Sequence, residues 1–139
     1  MDTGKSALGI DGNLAAALGY PIGIIAIISL IIEKENRFVK FHALQSILLH
    51  VAFIVLFIAL FVLGIVLTIA GIAASAATNS GALGGLLGML MGLVWLVVVV
   101  GYIVALILSA VKSYQGKDFM LPIVGGMAQK FTGGPVGQA

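Results

Sequence analysis

The sequence predicts an all-α fold, a polytopic bundle of transmembrane helices. Hydrophobic residues make up 61% of the chain and charged residues only 9%, whereas soluble domains carry roughly 25% charged residues. Residues 41–111 contain no Asp, Glu, Lys or Arg at all. Since about 20 apolar residues cross a hydrocarbon core of roughly 30 Å, this uncharged stretch is long enough for two crossings and a turn between them.

The apolar segments predict three spans within a single transmembrane domain, residues 1–139. The spans are expected at residues 14–32, 41–77 and 86–111, with a tail at residues 112–139. At about 1.5 Å per residue, the second helix is longer than the hydrocarbon core, so its first turns are expected in the headgroup region. Pro21 lies inside the first span, where a proline removes a backbone hydrogen bond and bends a helix.

Turn-forming and helix-ending residues follow the second and third segments. Residues 77–81, Ala-Thr-Asn-Ser-Gly, predict the turn before the third helix. Tyr114 and Gly116 follow the third segment, where a tyrosine favours the membrane interface and a glycine ends a helix. The tail is rich in glycine but carries an amphipathic patch at residues 123–131.

The basic residues are unevenly distributed between the two predicted membrane faces. Three spans place the loop 33–40 and the tail on one face, and leave Lys5 on the other. The basic residues of the first face are Lys34, Arg37, Lys40, Lys112, Lys117 and Lys130. Because cytoplasmic loops are enriched in Lys and Arg, the sequence predicts a multi-pass protein of the cell inner membrane with its N-terminus outside and its C-terminus in the cytoplasm.

A polar stripe opens the second span. His42, Gln45, Ser46 and His50 fall within roughly 140° of arc on a helix, and lipid offers such side chains no hydrogen-bond partners. One interpretation is structural: the stripe bonds to neighbouring helix ends. A second is that it marks a functional site, and a third is that His42 or His50 binds a pigment, since histidine is the usual axial nitrogen ligand. A bis-histidine haem within one chain is excluded, because both histidines lie on one helix.

Gly84, Gly88 and Gly92 form a GxxxGxxxG pattern at the start of the third span. This spacing lets another backbone approach closely, and it predicts a packing surface in preference to a pore or a substrate groove. The partner would be another segment of this chain, a second copy or another membrane subunit.

The side chains give little support for a catalytic or metal-binding function. The chain has no cysteine, which excludes disulfides and thiolate metal sites, and a net charge of +2 does not suggest nucleic-acid binding. No catalytic set or metal-ligand cluster is visible within the spans. The sequence therefore predicts no enzyme, no metal and no cofactor, with a bound pigment or lipid left open, and it predicts membrane lipids and other membrane subunits as partners.

Two segments resemble a known family. Residues 38–46, Phe-Val-Lys-Phe-His-Ala-Leu-Gln-Ser, are similar to the signature of small bacterial membrane proteins described as domain of unknown function 4870, which is related to the Tic-twenty family of the chloroplast inner-envelope translocon. Tyr114-Gln115-Gly116-Lys117 and the following Leu121-Pro122-Ile123 resemble that family's closing segment. The resemblance covers residues 14–130. It implies a helical bundle and, by analogy, a part in a protein-conducting assembly.

The leading hypothesis is a non-catalytic accessory or scaffold subunit of a membrane complex, and the alternative is a translocon-like component of a transport channel. We also expect His42 and Gln45 to be shielded from lipid and bonded to the loop 33–40 or to residues 112–125. Both regions are predicted on the same side of the membrane as these side chains, and their helix ends leave backbone groups that need partners.

Overall fold

The computed structural model describes residues 3–133, and the helices in that range confirm the all-α class. Their bounds are α1 Gly12–Gly19, α2 Gly23–Ile32, α3 Arg37–Thr78, α4 Ala82–Tyr114 and α5 Val124–Thr132.

The predicted first span is two short helices instead of one long one. Tyr20, Pro21 and Ile22 separate α1 from α2, as expected where a proline cannot continue the backbone hydrogen bonds. With 8 and 10 residues, these helices are about 12 and 15 Å long, whereas the hydrocarbon core measures roughly 30 Å. The three-span count is therefore not confirmed. The two helices pack closely, since a Cβ added at Gly19 would lie 3.3 Å from the Cβ of Ala26.

The second and third predicted spans are both long, apolar helices that could cross a membrane. α3 has 42 residues and α4 has 33, so each begins before its predicted span. Asn36 provides the start signal of α3, because its Oδ1 accepts the backbone N–H of Val39 at 3.2 Å, the bond of an N-cap. The predicted turn is confirmed: α3 ends at Thr78, and Asn79 has a φ of 51°.

Gly116 ends α4 as predicted. Its φ is 68°, its N–H donates to the carbonyl of Ser113 at 2.9 Å, and the N–H of Lys117 donates to the carbonyl of Lys112 at 3.0 Å. This pair of bonds is the Schellman motif, which needs a left-handed residue after the helix and so favours glycine. Tyr114, the last residue of α4, exposes its side chain.

The described residues form two compact units. The polar unit contains the described residues up to Ala52 and those from Ile103 onward, and the apolar unit is Phe53–Tyr102. In the apolar unit most large side chains are exposed, Val97 by 71%, which suits contact with lipid. Within this unit Phe53 stacks on Tyr102 with ring centroids 3.9 Å apart.

Hydrogen bonds tie the N-terminal residues into the polar unit. The backbone N–H of Ala7 donates to Glu33 Oε2 at 2.7 Å, and the side-chain amide of Asn13 donates to the carbonyl of Tyr114 at 3.1 Å. The residues before α1 therefore adjoin the α2–α3 loop, and the start of α1 adjoins the end of α4.

Candidate functional site

The candidate site is a buried group of polar side chains in the polar unit, here called the polar cluster: Tyr20, His42, Gln45 and Ser46. All four are completely shielded from the surface. Tyr20 comes from the break between α1 and α2, and the other three lie on the first turns of α3. A buried polar group is costly unless it is hydrogen-bonded, so the partners of these side chains define what the cluster does.

Gln45 connects three parts of the chain. Its Nε2 donates to Tyr20 Oη at 2.6 Å and to the carbonyl of Phe119 at 3.0 Å. Its Oε1 accepts the backbone N–H of Leu121 at 3.0 Å. Both ends of the amide are thus used, and the prediction that Gln45 bonds to residues 112–125 is confirmed.

Tyr20 and His42 share a buried hydrogen bond. Tyr20 Oη lies 2.9 Å from His42 Nδ1. Because an amide nitrogen only donates, Tyr20 Oη accepts from Gln45, and its own O–H is available to donate to His42 Nδ1. The tyrosine oxygen can also accept a second hydrogen bond, so which of the two groups donates depends on the tautomer of the His42 ring. Tyr20 is a partner of His42 that was not expected, while the backbone of Lys117, within the expected residues 112–125, also interacts with the ring.

Aromatic rings enclose the imidazole of His42. The centroids of Phe38 and Phe41 lie 4.5 and 5.1 Å from that of His42, both in edge-on geometry. The backbone of Lys117 is close to the ring, but Nε2 has no partner of acceptable hydrogen-bond geometry among residues 3–133. A pigment would reach Nε2 only if this packing opened, and ligation at His42 stays a prediction.

Ser46 and His50 attach α3 to the first two helices. Ser46 Oγ donates to the carbonyl of Gly19 at 2.7 Å, which satisfies a carbonyl at the end of α1. His50 Nδ1 lies 2.7 Å from the carbonyl of Ser46 and must donate there. The His50 ring also lies beside Gly23, where an added Cβ would be 3.7 Å from Nε2. A pigment or lipid ligand at His50 likewise stays a prediction.

The sequence interpretation missed Tyr20 and two serines of α4. Tyr20 is the hub of the cluster, and its signal was a phenol inside an apolar segment, since a buried tyrosine hydroxyl usually finds a partner. Ser109 and Ser113 are completely buried in the polar unit. Their spacing of one helical turn, just before Tyr114, was the available sign of a polar face on α4.

The glycines predicted as a packing surface behave differently from one another. In the apolar unit, Gly84 meets Gly71 of α3 so closely that a Cβ added at Gly71 would lie 3.1 Å from the Cα of Gly84. Gly88 and Gly92 have no described atom within 4 Å of an added Cβ. Close packing inside this chain is therefore limited to Gly84. For Gly88 and Gly92, contact with another molecule stays a prediction.

An apolar groove of about 860 Å³ lies in the apolar unit. Its lining is mostly glycines and large apolar side chains, with the hydroxyls of Thr68 and Ser75, and it includes Gly71, Gly84, Met91 and Trp95. Such a surface suits an acyl chain or a neighbouring helix, and it offers few groups for chemistry.

The segment between α4 and α5 completes the polar unit. The carbonyl of Pro122 accepts the N–H of Val124 at 2.8 Å, so the predicted closing motif forms the turn into α5. Asp118 precedes this turn, and partial burial raises the pKa of its carboxyl above the usual value.

We predict that His42→Ala lowers the free energy of unfolding by about 1–3 kcal/mol, because Tyr20 loses a buried hydrogen-bond partner. Lys40→Gln, on a half-buried residue of the same helix, should cost far less. Thermal unfolding of both variants in detergent micelles checks the difference. Equal stability of the two variants would show that the His42 bond contributes nothing.

The polar cluster lies in a segment that matches a described family. Residues 7–128 match the profile of the magnetosome magnetite crystal formation protein family, MamF/MmsF. The chain belongs to the MamF/MmsF family. The matched range contains all of α1 to α4 and all four residues of the polar cluster.

Curated archaeal proteins are similar to part of this MamF/MmsF member. It is 55% identical over 47 residues to a UPF0132 membrane protein of Methanocaldococcus jannaschii. The aligned stretch covers 33% of this chain and 43% of that protein. It is 50% identical over 44 residues to a UPF0132 membrane protein of Archaeoglobus fulgidus, 31% of this chain and 43% of that protein. The chain thus spans less than half the length of either relative. No solved structure matches it.

The family match corrects the resemblance drawn from residues 38–46. The family found is MamF/MmsF, with UPF0132 membrane proteins as relatives, and it replaces domain of unknown function 4870 and the Tic-twenty family. The transport analogy rested on that resemblance alone, so it is withdrawn. The conclusion that remains is that the chain belongs to a membrane protein family and has two long apolar helices that could cross a membrane.

Proposed function

We propose that this protein is a non-catalytic structural subunit of a membrane complex. The observation that carries the proposal is the bonding of Gln45, whose amide joins Tyr20, Phe119 and Leu121. The polar side chains of the cluster thus hold segments of the chain together. The exposed apolar side chains and the open glycines of the apolar unit supply a surface for membrane partners.

The family description supplies a biological setting for this subunit. The MamF/MmsF family is described by magnetosome magnetite crystal formation, and we extend that role to this chain as a proposal. The protein would then act in the membrane around a growing crystal. Gene deletion in a magnetite-forming host tests the setting: smaller or misshapen crystals in electron micrographs, restored by the wild-type gene, support it, and unchanged crystals contradict it.

Photo-crosslinking tests the subunit role directly. A photoreactive amino acid at Gly88, which is open in the structure, should give the same few membrane-protein adducts in repeated preparations from the native host. The matched control is Gln129, an exposed polar position on α5, which should give a different adduct pattern. Native mass spectrometry of the gently solubilised protein should show the same partners in fixed stoichiometry. Lipid adducts alone, with no copurifying protein, would contradict the proposal.

We also propose a topology of two spans, α3 and α4, with both chain ends on the cytoplasmic side. The side chain of Asn36 donates to the carbonyl of Thr3 at 2.7 Å, so the N-terminal residues adjoin the α2–α3 loop instead of lying across a membrane from it. All seven Lys and Arg residues then lie on one side, and the turn after Thr78 carries none. This distribution agrees with the enrichment of basic residues in cytoplasmic loops better than the three-span arrangement does.

The two-span proposal predicts that reporters at the N-terminus and at the C-terminus report the same compartment. A reporter inserted after Ser80 should report the opposite one. Paired phosphatase and fluorescent-protein fusions measure both outcomes. Opposite compartments for the two termini would restore the three-span arrangement and contradict this proposal.

A further inference from the structure

Helix α5 carries apolar side chains on two separate faces. One face is buried in the polar unit and contains Val124, Gly125 and Ala128. The other apolar side chains, here called the exposed flank, are Ile123, Met127 and Phe131, with 83%, 43% and 77% of their surfaces exposed. Met127 and Phe131 are four residues apart and lie within about 40° of arc on the helix, and Ile123 directly precedes the helix. The apolar surface of this segment is therefore larger than the part that is buried against the rest of the chain.

The exposed flank is held in a fixed orientation. Before the helix, the backbone of Leu121 is bonded to Gln45. After it, Arg37 Nη2 donates to the carbonyl of Gly133 at 2.6 Å. Ile123 has a φ of 68°, a costly conformation for a β-branched residue, and this conformation presents its side chain outward. Backbone strain at a residue whose apolar side chain is exposed indicates that this side chain has a function.

The surroundings of the exposed flank are basic. Described residues 112–133 contain Lys112, Lys117 and Lys130 against a single carboxylate, Asp118. On the helix, Lys130 lies about 60° from Met127, so a cation borders the apolar side chains. A short helix with an apolar flank and neighbouring lysines has the character of a helix that lies in the surface of an anionic bilayer.

We propose that the exposed flank of α5 binds the surface of a bilayer that contains anionic lipids. Ile123, Met127 and Phe131 enter the acyl region below the headgroups, and Lys130 pairs with lipid phosphates. The charge balance of residues 112–133 favours this occupant. The chain itself supplies a nearby bilayer, since α3 and α4 can cross one. With 9 residues, α5 is about 14 Å long and cannot span the membrane itself.

Depth measurement by spin labelling tests the proposal on the full-length protein in vesicles. The chain has no cysteine, so Met127→Cys and Gln129→Cys each give a single label, the first on the exposed flank and the second on the polar face. In vesicles with phosphatidylglycerol, the label at 127 should collide with oxygen and be protected from a water-soluble nickel complex. The label at 129 should show the reverse.

Two further variants separate lipid binding from folding. Ile123→Gly relieves the positive φ and Phe131→Ser removes an exposed ring, so neither should lower the melting temperature in detergent. Each should reduce the ratio of immersed to free label at 127 about tenfold, and the double variant about a hundredfold, because each loses the burial of a large apolar side chain. Lys130→Gln, or vesicles of phosphatidylcholine alone, should reduce it about fivefold, the value of one surface charge.

Equal exposure of the labels at 127 and 129 to the nickel complex would overturn the proposal. An immobilised label at 127 that neither oxygen nor the nickel complex reaches would also overturn the proposal, since that result would show a protein partner on the exposed flank. Immersion that is the same in both kinds of vesicle would overturn the anionic preference.

Discussion

Gln45→Leu is expected to lower the free energy of unfolding by about 3–5 kcal/mol, more than any other single change in the polar cluster. Leucine is one atom shorter than glutamine and has no hydrogen-bonding group, so the substitution leaves the carbonyl of Phe119 and the N–H of Leu121 without their partner. Each buried polar group left unpaired costs about 1–3 kcal/mol. Tyr20 Oη loses a donor as well.

The measurement is chemical or thermal unfolding in detergent micelles, with hydrogen exchange of residues 119–125 as a local readout. Gln129→Leu is the matched control, because it makes the same chemical change at an exposed position of α5. It should leave stability within about 0.5 kcal/mol of the wild type. If Gln45→Leu is as stable as Gln129→Leu, then the amide does not hold the closing segment on α3.

Gly125→Ala is expected to cost about 3 kcal/mol, at the upper end of the range for overpacking a core. The added Cβ would lie 2.7 Å from Gln45 Oε1, 2.9 Å from the Cβ of Met120 and 3.0 Å from its carbonyl carbon. The backbone atom cannot rotate away, and moving Gln45 breaks the bond to Leu121. The substitution should therefore release α5 and the segment before it from α3.

Gly126→Ala is the neighbouring control. An added Cβ there has no described atom within 4 Å, and alanine favours a helix over glycine by up to about 1 kcal/mol. Thermal unfolding should thus show opposite signs for two identical changes at adjacent positions, and limited proteolysis should cut near α5 faster in Gly125→Ala alone. If Gly126→Ala is also destabilised, then the loss of stability in Gly125→Ala comes from placing alanine in α5 and not from the contact with Gln45.

The long helices could be predicted from the sequence because their signal is composition. Residues 41–111 contain no Asp, Glu, Lys or Arg, which predicts helices long and apolar enough to cross a membrane. The turn at Asn79 and the helix end at Gly116 followed from residue types that accept a positive φ. Both are local properties, readable without knowledge of the fold.

The first segment shows where such reasoning stops. Residues 14–32 are apolar enough for a span, and the sequence indicated only a bend at Pro21. The break into α1 and α2 depends on contacts distant in sequence, such as Ser46 with the carbonyl of Gly19. The same limit explains why Tyr20 was missed, since its partners lie on α3. The stripe on α3 was recognised because its residues recur on one helical face, which is again a local signal.

The bonds of Gln45 have a consequence for how the protein is made. Its partners Phe119 and Leu121 lie 74 and 76 residues further along the chain, beyond the whole of α4. While a ribosome is still synthesising α4, α3 is complete but the amide of Gln45 lacks two of its native partners. The polar unit can therefore close only after the last membrane helix has left the ribosome. A nascent chain released early would keep unpaired polar groups near the start of α3, a defect that membrane chaperones and proteases can recognise.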